Sequence, residues 1–173
     1  MTTPAIRPLL TTDQIRTRVA ELGHRISLDY AGKEILAIAA LKGAFMFFSD
    51  LVRALDIPVK VDFLGASSYR GTETTGKVQI YQNLTEQITD RHVLLVDDII
   101  DTGVTLDKIR SELLSQQPAS LKICTLLDKP SRRRVPVPVD YVGFEVPDLF
   151  IVGYGIDYNG MFRALPYVAV LAD

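Results

Sequence analysis

Residues 93–106 read VLLVDDIIDTGVTL. Val93, Leu94, Leu95 and Val96 follow one another without a polar break, the pattern of a strand covered on both faces in a parallel sheet. Two acids, Asp97 and Asp98, follow that run. After Ile99 and Ile100 comes a turn, Asp101-Thr102-Gly103-Val104-Thr105, and then TLDKIRSELLSQQ, in which Leu106, Ile109 and Leu113 recur at helical spacing. The helix therefore starts near Thr105. Strand, turn and helix in this order form the unit of an α/β sheet with right-handed crossovers. In such sheets ligands bind beyond the carboxyl ends of the strands. The backbone N–H groups of residues 101–105 are expected to point into the turn, where the helix N-terminus adds partial positive charge. Gly103 permits close backbone approach, and the hydroxyls of Thr102 and Thr105 are extra donors. This is an anion cradle. The puzzle is the acid pair beside it, because adjacent carboxylates repel unless something cationic or hydroxyl-rich engages them. The plainer alternative makes Asp101 or Thr102 a simple helix N-cap.

The flanking sequence continues the alternation. TTDQIRTRVAELGHRISLDYAG opens on a Thr11-x-x-Gln14 capping box and places Ile15, Val19, Leu22 and Ile26 on one helical face, ending near Gly32. EILAIAALK is a buried strand, and Phe45, Phe48, Val52 and Leu55 mark the next helix. VKVDFLGASSY and KVQIYQNL read as strands separated by the loop RGTETTG, and SLKICTLLDK is another buried strand. The tail differs, with VDYVGFEV and FIVGYGID as short strands on either side of Pro147-Asp148. The expected fold is α/β, a mainly parallel twisted sheet flanked by helices. Within a single domain, the core covers about residues 33–130. A small C-terminal hood over the sheet edge covers about residues 131–173 together with the N-terminal segment.

Composition narrows the function classes. With 47% hydrophobic and 23% charged residues in 173, the chain can bury a globular core. A net charge of −2 supplies no global basic field for nucleic acid, so none is expected as partner. No apolar run approaches the roughly 20 residues of a membrane helix, and the first residues have no apolar leader segment. A cytoplasmic protein without membrane contact is expected. The lone Cys124, inside KICTLL, reads as a core residue in a reducing compartment.

VLLVDDIIDTGVTL resembles the phosphoribosyl-pyrophosphate (PRPP) signature of the type I phosphoribosyltransferases: apolar strand, two acids, two apolar residues, then D-T-G-x-T. The resemblance resolves the charge puzzle. It implies a ligand carrying ribose hydroxyls and a pyrophosphate as well as a 5′-phosphate. Asp97 and Asp98 would accept from the ribose hydroxyls, directly or through Mg²⁺, while Asp101, Thr102, Gly103, Val104 and Thr105 hold the phosphate. Leu41-Lys42-Gly43 is similar to the pyrophosphate loop of hypoxanthine-guanine members, and SSYRGTETTGKV to their mobile loop, through Ser67, Ser68 and Tyr69. That loop also spells a false P-loop. Residues 71–77 give G-x-x-x-x-G-K, but Val78 replaces the required Ser/Thr and a strand follows instead of a helix.

LLDK, VGFEVPDLFIVGYGIDYNGMFR and LPYVAVL resemble the purine-binding hood of the same group. The resemblance implies that Lys129 donates to the exocyclic oxygen of a 6-oxopurine, Phe150 stacks on its ring and Ile151 offers backbone groups to its edge, with Ile99 also at the purine. Asp157, also on the purine side, would hold a second Mg²⁺, and Arg163 would contact pyrophosphate. Asp101 would be the general acid/base near N7. The implied reaction is purine salvage: transfer of the phosphoribosyl group from PRPP to hypoxanthine or guanine, by a homodimer or homotetramer. Taken without the family, Phe150 reads as a core residue and Asp157 as a turn acid. Asn159-Gly160-Met161 stands where charged or aromatic residues are commoner.

Two other classes share parts of the pattern. A PyrR-type pyrimidine-operon regulator has the PRPP signature, binds RNA and uses uracil. A signalling receiver domain has LLVDD, but on its first strand, whereas three apparent strands come earlier here. The basic run of residues 132–134 reads as solvated, with RNA or interface contact the sharper option. His24 and His92 lack a third ligand in pattern for zinc. Phe45, Met46, Phe47 and Phe48 put apolar groups on more than one helix face, a hint of a subunit interface.

Overall fold

The computed structural model describes residues 4–68 and 78–172. Its elements in chain order are β1 (Ile6–Leu10), α1 (Thr12–Asp29), β2 (Ile35–Leu41), α2 (Phe45–Arg53), β3 (Val59–Ser68) and β4 (Val78–Gln82). Then come β5 (His92–Ile100), α3 (Val104–Ser115), β6 (Ser120–Asp128), β7 (Tyr141–Glu145), β8 (Ile151–Val152) and β9 (Val168–Leu171). The large sheet has the order β4-β3-β2-β5-β6-β7. Its strands β3, β2, β5, β6 and β7 pair in parallel, and β4 is antiparallel at one edge. This is the expected α/β architecture. Among the described residues no helix is long and apolar enough to cross a membrane.

The strand pleat explains the two layers of core. Along β2, Ala37 and Ala39 face α1 and α2, whereas Leu36 and Ile38 face α3. Along β5 the same alternation sends Leu94 and Val96 to one side and Val93 and Leu95 to the other. Small alanines on the first face leave room for Phe47, Phe48 and Leu51 of α2 and for the Ile15-Val19-Leu22-Ile26 stripe of α1. The capping box of α1 forms as the sequence indicates, Thr11 bonding with both the backbone and the side chain of Gln14. The helix ends at Asp29, and the chain turns at Gly32 (φ 75°). Cys124 is fully buried, and burial pushes its thiol up, away from thiolate reactivity.

Two expectations are corrected here. VDYVGFEV is not a hood strand: β7 pairs in parallel with β6 as the sixth strand of the large sheet. The Asp140 carboxylate accepts the Ile123 N–H, and a Cβ on residue 143 would sit 2.4 Å from the Leu126 carbonyl, so only glycine lets β7 lie this close. The hood sheet is instead β1-β9-β8, with antiparallel pairs, and the core extends well past residue 131. Strand β1 escapes a pattern reading because Pro8 interrupts it at a register shift. On α2, Phe47 and Phe48 are buried within the chain, Phe48 meeting Phe63 edge-on at 5.6 Å, whereas Phe45 and Met46 are half-buried.

Candidate active site

The carboxyl ends of β2, β5 and β6 meet the hood at three adjoining cavities, and Ile99 lines all three. The smallest, about 80 Å³, is walled by Asp101, Thr102, Gly103 and Thr105 at the start of α3. Gly103 takes φ 86° and is the residue at the helix N-cap. Its lack of a side chain serves the protein's own backbone more than a ligand, since a Cβ there would lie 2.4 Å from the Val135 carbonyl. Asp101 makes no capping bond to the helix, while the Thr102 hydroxyl accepts the Val104 N–H at 3.5 Å, so the plainer alternative survives only as a long contact from Thr102.

The second cavity, about 390 Å³, gathers Lys42, Gly43, Asp97, Asp98, Asp157 and Arg163 from β2, β5 and the hood. The Leu41–Lys42 peptide is cis. Gly43 is confined by sterics, because a Cβ would fall 2.0 Å from Oδ2 of Asp98. Arg163 is aimed by two contacts, Nη2 to Asp157 Oδ1 at 2.6 Å and Nη1 donating to the Gly155 carbonyl at 2.6 Å. The unusual Asn159-Gly160 pair forms a tight hairpin turn with φ 49° and 81°, closed by bonds between Tyr158 and Met161. That turn delivers the Gly160 N–H to Asp157 at 2.7 Å, so the departure from the family pattern supports the acid it flanks.

Asp97 and Asp98 stack at the strand end, the Asp98 N–H donating to Asp97 Oδ1 at 2.9 Å. Burial, then the neighbouring Asp98 charge, raises the Asp97 carboxyl well above the ordinary range. Burial raises Asp98 too, partly offset by hydrogen bonds and the Arg163 charge. Such a folded-state carboxyl binds more protons than the unfolded chain does, so the pair weakens the fold as pH rises from the ordinary carboxylate range through the raised value. Asp97→Asn is therefore expected to raise Tm at neutral pH in metal-free buffer, with the gain vanishing near about pH 3–4. An unchanged or lowered Tm at neutral pH would contradict this. Two adjacent oxygen donors with unfavourable mutual charge suit a divalent ion, and Mg²⁺ is usually held by one or two carboxylates plus substrate phosphates. Among the described residues, no group of three or more His, Cys, Asp or Glu is placed to hold a metal by itself.

The third cavity, about 300 Å³, is lined by Asp101, Lys129, Arg132, Asp148, Phe150 and Ile151, among others. Lys129 is buried, and its ammonium donates to the Leu149 carbonyl at 2.6 Å with Asp148 at 4.0 Å. Phe150 is 47% exposed, so the core reading is corrected: the chain turns before β8 so that Ile151 points inward and Phe150 stays at the cavity, edge-on to Tyr158 at 5.4 Å. Asp157 is no ordinary turn acid, since it lines both larger cavities.

The model of the phosphoribosyl transferase domain family matches residues 9–159. The chain belongs to the phosphoribosyltransferase family. This phosphoribosyltransferase is 50% identical to a hypoxanthine phosphoribosyltransferase of Salmonella typhimurium, over 97% of each chain. It is 45% identical to a hypoxanthine-guanine phosphoribosyltransferase of Staphylococcus aureus, over 94% and 92%. A crystal structure of the hypoxanthine-guanine phosphoribosyltransferase of Bacillus anthracis superposes with a TM-score of 0.92, at 42% identity, over 98% of this chain and 100% of the other.

The cavities of the phosphoribosyltransferase bring together Leu41, Lys42, Gly43, Asp97, Asp98, Ile99, Asp101, Thr102, Gly103, Thr105, Lys129, Phe150, Ile151, Asp157 and Arg163. Val104 begins α3 beside them. Ser67 and Ser68 end β3 and Val78 begins β4, while Tyr69 and the intervening residues of the expected mobile loop, up to 77, lie outside the described residues. Sequence reasoning missed residues 132–134. Arg132 and Arg134 are exposed, as a solvated run would be, but the run also makes ion pairs: Arg132 with Asp101 at 3.0 Å and Asp148 at 3.5 Å, and Arg133 with Asp128. Arg134 and Val135 give their backbone N–H groups to the Thr102 carbonyl at 2.9 and 3.0 Å. The available signal was position, just past Lys129 at the end of the strand beside the one bearing Asp97 and Asp98.

Proposed function

We propose that this phosphoribosyltransferase transfers the 5-phosphoribosyl group of PRPP to N9 of hypoxanthine or guanine, with Mg²⁺, giving IMP or GMP and pyrophosphate. The observation that carries the reading is the third cavity. A buried ammonium, an exposed phenyl ring and a carboxylate face one cavity beside a phosphate cradle and a Lys/Arg-lined anion site. The names of the relatives point the same way.

The turn of residues 101–105 binds the 5′-phosphate, and Asp97 and Asp98 engage the ribose hydroxyls. Lys42 and Arg163 offset the charge of the departing pyrophosphate. Asp97, Asp98 and Asp157 would hold Mg²⁺, which supplies further charge neutralisation when bound. As the C1′–O bond breaks, the sugar becomes cation-like and N9 attacks it. The N–H bond of the base breaks, and Asp101 takes its proton near N7. Lys129 selects a 6-oxo group, because a 6-amino group would face the buried ammonium with a donor where a second acceptor, beside the Leu149 carbonyl, is needed. Exposed Val61 and Phe63 on β3 supply an apolar patch for assembly into a homodimer or homotetramer. The uracil-using, RNA-binding alternative is not favoured, since acids pair with Arg132 and Arg133 and offset much of the charge of the basic run.

Purified protein with PRPP and hypoxanthine should produce IMP and pyrophosphate in equal amounts, and a chelator should stop both. Nucleotide formation indifferent to chelation, or no pyrophosphate, would overturn the proposal.

A further inference from the structure

Arg132 has no part in the steps above, yet two acids hold it at the mouth of the base cavity. Its Nε donates to Asp101 Oδ1 at 3.0 Å, and its Nη1 lies 3.5 Å from Asp148 Oδ2. The next residues grip the same turn from behind. Arg133 Nε donates to the Asp101 carbonyl at 3.1 Å, and the N–H groups of Arg134 and Val135 converge on the Thr102 carbonyl. Only one oxygen of Asp101 is engaged this way. Among the described residues no side-chain hydrogen bond reaches its Oδ2.

We propose that Arg132 is a positioning residue for Asp101, fixing one carboxylate oxygen so that the other meets the N–H of the entering 6-oxopurine. The inference rests on the reading of Asp101 as the acid/base. A half-exposed ion pair adds at most about 1 kcal/mol of stability, so stability alone is a weak reason for this contact. Geometry is the stronger one, because a misplacement of about 1 Å at a reacting group costs up to about 10²-fold in rate. Arg132 suits the task, since a planar guanidinium fixes direction as well as distance. By bridging Asp101 to Asp148, it also ties the base cavity to the phosphate cradle, so that both sites share one support.

A double-mutant cycle on the full chain tests this. Arg132→Met should lower kcat about 10- to 100-fold, with little change in the KM for PRPP, and Arg132→Lys should recover part of the loss. In an Asp101→Asn background, Arg132→Met should cost no more than about twofold, because its effect passes through Asp101. The proposal is overturned if Arg132→Met turns over like the parent, if its loss falls wholly in the PRPP KM, or if the two losses multiply in full. Should Arg132→Met fail to fold, Asp148→Asn takes its place. It should cost several-fold in kcat, and again nothing further in the Asp101→Asn background, with the same contrary outcomes. Normal turnover of Asp101→Asn alone would instead sink the acid/base reading.

Discussion

Asp101→Asn is expected to lower kcat for nucleotide formation by about 10²–10⁴-fold, the usual contribution of a positioned general acid/base. In barrier height this is about 2.7–5.4 kcal/mol. PRPP affinity should change little. In the proposed complex the cradle would hold the phosphate through backbone N–H groups and the hydroxyls of Thr102 and Thr105, none of which the substitution touches. An Asn also keeps an oxygen that can accept from Arg132 Nε, so the loop retains its support. The decisive readout is the separation of the two quantities: turnover collapses while the Kd for PRPP, from calorimetry, stays near the parent value. Loss of both together would mean that Asp101 holds the turn in shape and does no proton chemistry. Full turnover would remove the role altogether.

Lys129→Met carries the second large effect. The buried ammonium has one backbone partner at 2.6 Å, and in the proposed complex it faces the 6-oxo group. A hydrogen bond from a charged group contributes about 1.5–3 kcal/mol, so kcat/KM for hypoxanthine and guanine should fall by about 10- to 150-fold. Adenine should not suffer the same loss, because it never supplied an acceptor, and the ratio between the bases should contract. Equal losses for PRPP affinity and for every base would show that Lys129 supports the Leu149 carbonyl and leaves the base alone.

The parts of this architecture legible in the sequence are those set by local chemistry. Residues 93–106 carry their own answer: an unbroken apolar run, a Gly/Thr turn and a helical stripe are each decided within a few residues, and β5, its turn and α3 form accordingly. The capping box at Thr11 belongs to the same class. The misreadings concern choices made by distant partners. Whether YVGFE joins the hood or the large sheet depends on the Leu126 carbonyl approaching Gly143 and on Asp140 reaching Ile123. Strand β1 is stabilised by β9 from the other end of the chain, and Pro8 masks its pattern. Phe150 has the composition of a core residue, and only the turn before β8 leaves it exposed. Arg132 looks like any surface arginine until the fold brings Asp101, thirty-one positions away, to its Nε. For Lys42 and Arg163 the residues alone said little, and their place beside Asp98 and Asp157 follows from tertiary convergence at the strand ends.

The most direct test of the central claim is a comparison of bases. Purified protein, PRPP and Mg²⁺ are presented with hypoxanthine, guanine, xanthine, adenine or uracil, and kcat/KM is taken from the nucleotide formed. Hypoxanthine and guanine should be converted efficiently and adenine and uracil scarcely at all. Activity confined to uracil, or conversion of adenine on a par with hypoxanthine, would contradict the assignment of the Lys129 cavity to a 6-oxopurine.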